Sequence, residues 1–267
     1  MIIINNKFGN VALNLDAKNI TVRLSGGFDS CVLLYILASE IGKRNLDVTI
    51  FPITVIKVDN ERFLPGLNKF DPTETVENII NFVRSSFPNV KIKDARFQKV
   101  TDWWHLEEKL HIKAQHSMID DIKKETNSEM FIDYNGITKN PSCVIGREIF
   151  EDRDQNGRLT FINCNPERHR DHINENFIEN TVSVSELFDN DDTIFMSPFR
   201  NFDKRITFKL AEDYGILEFV LHNTRSCEGR AEPTNNFTTV CTGPDICWWC
   251  YERDWALKNY DKDYRKD

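Results

Sequence analysis

The sequence predicts an α/β fold: a doubly wound, mostly parallel sheet followed by a C-terminal four-cysteine appendage. Three observations predict it. Strand-like and helix-like segments alternate through the first half of the chain, a pattern that implies a parallel sheet covered on both faces. A turn of small and hydrogen-bonding residues, Ser25-Gly26-Gly27-Phe28-Asp29-Ser30, joins one of those strands to the helix after it. Sheets of this class take ligands at the carboxyl ends of their strands. Finally, Cys227, Cys241, Cys247 and Cys250 crowd into the last part of the chain.

The elements follow in order. Residues 19–24 alternate and are β-branched, which reads as a strand. In residues 29–42, Val32, Leu33, Ile36, Leu37 and Ile41 recur at helical spacing, and Gly42 supplies a stop. A strand over 47–59 precedes a helix over 71–87, with Asp71 as cap and Pro72 in the first turn. Residues 90–100 form a strand, 105–126 a helix, and 129–138 a strand ending in a turn. The alternation breaks near 140–190, where residues 147–163 read as two short strands around Asn156-Gly157. The DRDQNG stretch there lacks the terminal glutamate of a calcium loop. A strand over 193–199 and an amphipathic helix over 203–216 follow, and the tail from 252 reads as a helix that frays. The expected division is an α/β domain over 1–222, with an insertion near 140–190, and a cysteine tail over 223–267.

Composition is that of a soluble globular chain, with 40% hydrophobic and 28% charged residues. Mean hydropathy is -0.47, and no apolar run reaches the ~18 residues a membrane span needs. The first residues show neither a basic stretch nor a long apolar one, so no secretory leader is expected. The seven cysteines are therefore expected to be reduced, in a cytoplasmic protein. A net charge of -8 argues against a dedicated nucleic-acid binder, whose affinity comes from Lys and Arg on phosphates. The expectation is no stable nucleic-acid partner and no membrane partner.

The glycine turn has the chemistry of an anion cradle. A phosphate needs several donors aimed into one small space, and consecutive amides of a glycine turn at a helix start supply them. Gly26 and Gly27 let the backbone approach, and Ser25 and Ser30 add hydroxyls. Asp29 suits either organisation of the loop or a magnesium ion beside the phosphates. No Lys follows the glycines, so this is not a Walker A loop, and the third glycine of a dinucleotide fingerprint is missing. The four late cysteines run C-x13-C-x5-C-x2-C. The close pair is the usual half-site for tetrahedral zinc, and four thiolates point to a structural ion. An iron–sulfur cluster would also accept such a quartet. Trp248 and Trp249 are expected to pack that knuckle against the body of the protein.

Ser-Gly-Gly-Phe-Asp-Ser resembles the signature of the PP-loop (N-type ATP pyrophosphatase) superfamily, with the strand before and the helix after it in place. The resemblance implies an adenine nucleotide alpha hydrolase-like fold and adenylyl transfer from ATP to an acceptor oxygen. Residues 25–30 would then hold ATP and Mg2+, with Asp29 and Ser30 also acting in catalysis. The segment 197–216 resembles the superfamily's later Pro-then-Lys arrangement, with Pro198 and Lys204, and it implies that Lys204 stabilises the departing pyrophosphate. Together with TRSCEG (224–229), Cys241 and CWWCYERDWAL (247–257), it resembles the 7-cyano-7-deazaguanine synthases. That resemblance implies Zn2+ on Cys227, Cys241, Cys247 and Cys250, a homodimer, and ATP-driven conversion of a deazapurine carboxylate and ammonia to a nitrile. The chain departs from that family at 57–63, 108–121 and 136–143, where substrate-facing motifs of the family are altered. The alternatives are a tRNA-modifying PP-loop enzyme, a PAPS-reductase-like enzyme using Cys143 or Cys164, and a non-catalytic zinc-stabilised ATP-binding module.

Overall fold

Apolar β-branched runs alternating with amphipathic helices leave each strand buried on both faces, and the chain resolves this by laying helices over a parallel sheet. The computed structural model describes residues 1–58, 71–101, 110–128, 130–138, 181–183, 193–225 and 248–261. The strands are β1 (Ile2–Asn6), β2 (Gly9–Leu13), β3 (Asn19–Arg23), β4 (Thr49–Val58), β5 (Lys91–Ile92), β6 (Arg96–Thr101), β7 (Phe131–Tyr134), β8 (Thr181–Ser183) and β9 (Thr193–Met196). The helices are α1 (Phe28–Arg44), α2 (Thr73–Ser86), α3 (Leu110–Thr126), α4 (Arg205–Asp213), α5 (Leu217–Asn223) and α6 (Trp248–Asn259).

The main sheet runs β5-β4-β3-β7-β9-β8, with β6 also on β4. β5 pairs with the start of β4 and β6 with its second half, so together they act as one interrupted edge strand. Every pairing is parallel except β8 on β9. From β3 the chain turns outward through α1 to β4; from β7 it turns the other way, to β9. The carboxyl ends of β3 and β7 therefore flank a topological switch point, the place where such sheets open a crevice.

Side-chain alternation assigns the two faces. Ile20, Val22, Ile132 and Tyr134 join α1, α2, α4, α5 and α6 in the larger core. Phe51, Ile53 and Phe131 pack with Met118, Ile119 and Ile122 of α3 in a smaller one. The doubly wound architecture expected from the sequence is thus present. Several boundaries move for local reasons. α1 runs past Gly42 to Arg44, and Asn45, in the left-handed region at φ 51°, closes it by donating its amide to Gly42. Asp71 accepts the Thr73 amide at 2.9 Å, as a capping side chain should. The expected strand over 90–100 is broken between Ile92 and Arg96. The hairpin of β1 and β2, and helix α5, had no counterpart in the sequence reading. The Asn156-Gly157 hairpin lies outside the described residues.

The hairpin is tied to the sheet by one phenol. Tyr134 is fully buried; its hydroxyl accepts the Asn14 amide at 2.9 Å and donates to the Asn14 carbonyl at 2.5 Å. Burial holds that phenol in its neutral form, with its pKa raised. Tyr134→Phe leaves two backbone groups of residue 14 without this partner and is expected to cost about 2 kcal/mol. In a thermal melt this should lower Tm by roughly 4–8 °C for a domain of this size.

Candidate functional site

Three chain segments leave the sheet at the switch point and converge. The first is the glycine turn after β3. Gly26 sits at φ +78°, where L side chains are strained, and an added Cβ would meet Thr75 Cγ2 at 3.3 Å. The turn is knit by hydroxyls. The amide of Ser25 donates to Ser30 Oγ and that of Gly27 to Ser25 Oγ, each at 3.3 Å, and Ser30 Oγ donates to the Gly27 carbonyl at 3.1 Å. Gly27 is the N-cap of α1 and offers no side-chain cap. The positive end of a 17-residue helix is therefore presented to the crevice with only small groups before it. Ser25 is exposed there, whereas Ser30 is buried against the turn.

The second segment follows β7. Gly136 lies so close to α1 that a Cβ would come within 3.1 Å of the Asp29 and Ser30 backbone. The third follows β9 through Ser197 and Pro198 and ends at Lys204, the residue before α4. Lys204 is 3% exposed and its ammonium lies 2.5 Å from Asp29 Oδ2. A solvated lysine at a helix start is excluded by that burial. Thr207 donates to the other oxygen, Asp29 Oδ1, at 2.8 Å, and Thr138 stands at 3.5 Å from Oδ2. Asp29 thus acts first as the clasp that joins the three segments.

Two residues of α6 complete the site from behind. Glu252 is fully buried with Oε2 3.7 Å from Lys204 Nζ. Arg253 is also buried, and its guanidinium lies 5.8 Å from the Phe28 ring, which itself stacks on Phe208 at 4.1 Å. Lys204 thus lies between two carboxylates, and the start of α1 adds its own positive end to the site. The sequence reading brought Ser25, Gly26, Gly27, Phe28, Asp29, Ser30 and Lys204 forward, and all seven meet here. It missed Thr138, Thr207, Glu252 and Arg253. Glu252 and Arg253 stood in a segment read as a zinc tail, and no local pattern ties either to residues 25–30.

A second polar cluster occupies the opposite face of β3 and β7. Asp133 is buried, accepting from Thr21 Oγ1 at 2.7 Å and from Arg23 Nε at 2.7 Å, while Arg23 Nη1 donates to Gln115 Oε1 at 2.6 Å. The Arg23 guanidinium lies 4.8 Å from the Phe195 ring. Half-burial of His116, and then the nearby Arg23 charge, push its imidazole below the ordinary range.

Of the four cysteines expected to bind zinc, Cys227, Cys241 and Cys247 lie outside the described residues. Among the described residues no group of three or more His, Cys, Asp or Glu side chains could hold a metal ion. Cys250 is buried in the first turn of α6, in electrostatic contact with Arg253. A helix start and a guanidinium are the surroundings that suit a thiolate ligand. Cys143 and Cys164 are also outside the described residues, as are the side chains of Trp248 and Trp249. No described helix is long and apolar enough to cross a membrane.

No family model matches the chain. No curated protein sequence matches it either. Among solved structures, the chain is similar to the U34-tRNA thiolase NcsA from Methanococcus maripaludis, at 12% identity over 94% of this chain and 70% of that one, with a TM-score of 0.39. The expectation of no stable nucleic-acid partner is withdrawn, since it rested on the net charge of -8; the similar structure is that of a tRNA thiolase. Net charge averages over a whole surface and does not report a local one.

Two outcomes are expected. Lys204→Met removes the ammonium from between Asp29 and Glu252 and should destabilise the fold by about 3 kcal/mol in denaturant titration. For His116, whose native pKa is lowered, the unfolded chain binds more protons just below about pH 6.5. Stability should therefore fall as the pH drops through that window, and His116→Gln should make the fall shallower than in the parent.

Proposed function

We propose that the chain is an ATP-dependent enzyme of the PP-loop type, which holds the nucleotide's phosphates at the Ser25–Ser30 turn and transfers its adenylyl group to an acceptor oxygen. The observation that carries this reading is the start of α1: a glycine N-cap without a side-chain cap, preceded by Gly26 at positive φ and flanked by two serine hydroxyls. Such a turn at a switch point is built for an anion of several oxygens.

The roles follow from the geometry. Amides of the turn and the Ser25 hydroxyl hold phosphate oxygens. Ser30 braces the turn. Asp29, gripped by Lys204 and Thr207, fixes the direction of the helix start, and it is the residue that would hold Mg2+, which would neutralise phosphate charge. Lys204 contributes a fixed charge behind the turn, so stabilisation of departing pyrophosphate is electrostatic and preorganised. Zn2+ would be held by Cys227, Cys241, Cys247 and Cys250, and would supply structure rather than chemistry.

The resemblance of residues 193–257 to deazaguanine synthases supports a carboxylate acceptor, 7-carboxy-7-deazaguanine, with ammonia as the second substrate and ligation as the class of reaction. The test is product analysis by mass spectrometry. Purified zinc-loaded protein is incubated with ATP, magnesium, ammonium and 7-carboxy-7-deazaguanine, and in parallel with ATP, bulk tRNA and a sulfide donor. AMP or ADP with the amide or nitrile supports the carboxylate reading. Nucleotide cleavage only with tRNA and sulfide replaces it with base thiolation. Asp29→Asn should lower ATP turnover at least about a hundredfold while the protein stays folded by circular dichroism. Turnover within a factor of two of the parent would overturn the assignment of Asp29.

A further inference from the structure

The C-terminal helix reaches the glycine turn by two separate routes, one starting from Glu252 and the other from Arg253, neither of which the proposed chemistry uses directly. The first is ionic. Glu252, with no exposed side-chain surface, faces Lys204, whose ammonium grips Asp29 in the first turn of α1. The second runs through backbone. Arg253 Nη1 donates to the Thr224 carbonyl at 3.1 Å and Nη2 to the Leu221 carbonyl at 2.5 Å. These carbonyls close the end of α5, where helix carbonyls lack intrahelical partners. The next residue, Arg225, donates its amide to the Gly26 carbonyl at 2.9 Å. Gly26 is the residue at positive φ on which the shape of the turn depends. The Arg253 guanidinium also lies 5.8 Å from the ring of Phe28, between Gly27 and Asp29.

We infer that Arg253 is a positioning residue for the nucleotide turn, with Glu252 as its partner: α6 holds Gly26 through Arg253, Thr224 and Arg225, and Asp29 through Glu252 and Lys204. A planar fork is what this requires. A carbonyl in the last turn of α5, Leu221, and that of Thr224, the extended residue that ends the helix, are met by two nitrogens of one guanidinium, which a lysine ammonium on a single stem does not reproduce. A buried cation is costly unless its partners are fixed in place, and what its two bonds fix is the segment that continues from Thr224 through Arg225 to Gly26.

The nucleotide arm of the test rests on the function proposed above; the other arm does not. Amide hydrogen exchange is measured without nucleotide on the full chain, comparing residues 26–30 with residues 131–134 of β7. In Arg253→Lys the amides of 26–30 should exchange about tenfold faster, while those of β7 keep the parent rate. Glu252→Gln, which keeps the volume and removes the charge, should speed residues 28–30 selectively, and it stands in if the Arg253 variant fails to fold. In both variants the Kd for MgATP should rise about tenfold, with KM rising in parallel. Unchanged exchange at 26–30, or equal acceleration in β7, would overturn the inference and leave Arg253 a general stabiliser. A parent protein that binds no MgATP would defeat the proposed function, while the exchange comparison would still decide the role of Arg253.

Discussion

The ammonium of Lys204 lies 2.5 Å from one oxygen of Asp29, almost shut off from water, with a second carboxylate, Glu252, behind it. Taking a lysine out of water costs several kcal/mol unless its partners are fixed in place, so the segments that carry those partners must be fixed too. Asp29 comes from the start of α1, Lys204 from the start of α4 and Glu252 from α6. One ionic cluster therefore ties the end of β3, the end of β9 and the C-terminal helix into a single arrangement. Thr207 adds a neutral hydrogen bond that sets the rotamer of Asp29. The close seat of Gly136 on the same helix start brings in the loop after β7.

What this cluster fixes is the orientation of a helix start. The parallel sheet puts α1 where its amides face the switch point, but a parallel sheet does that for many helices. The distinctive part is a turn with no side chain on its two central residues, followed by an acid held by a buried cation. An unpaired acid in the first turn would oppose an anionic ligand; the Lys204 ammonium offsets its charge. Amides at the start of α1 attract an anion through dipoles and fixed geometry, which salt screens less than it screens exposed charges.

Much of this was legible in the sequence because it is local. Period-two strands beside period-3.6 helices gave the class of fold, and Ser25-Gly26-Gly27 marked the turn by residue type alone. Lys204 stood out through the resemblance of residues 197–216 to a Pro-then-Lys arrangement, although the anion it meets here is a side chain of the protein. The rest was not local. Glu252 and Arg253 meet the turn across more than two hundred residues, and nothing in their immediate neighbours signals it. Asp133 sits in a strand that reads as apolar and is explained only by Thr21 and Arg23 on the adjacent strand. The β1–β2 hairpin escaped notice because its short strands carry Asn and Gly, which are poor strand formers, and it is held by a tyrosine more than a hundred residues away.

The role proposed for the turn after β3 is to receive the phosphates of a nucleotide. It is tested most directly by titrating the protein calorimetrically with MgATP and, separately, with adenosine. ATP is expected to bind with a stoichiometry of one and adenosine at least about a hundredfold more weakly, with Gly26→Val removing the difference. Equal affinity for ATP and adenosine, or ATP binding that Gly26→Val leaves intact, would contradict it.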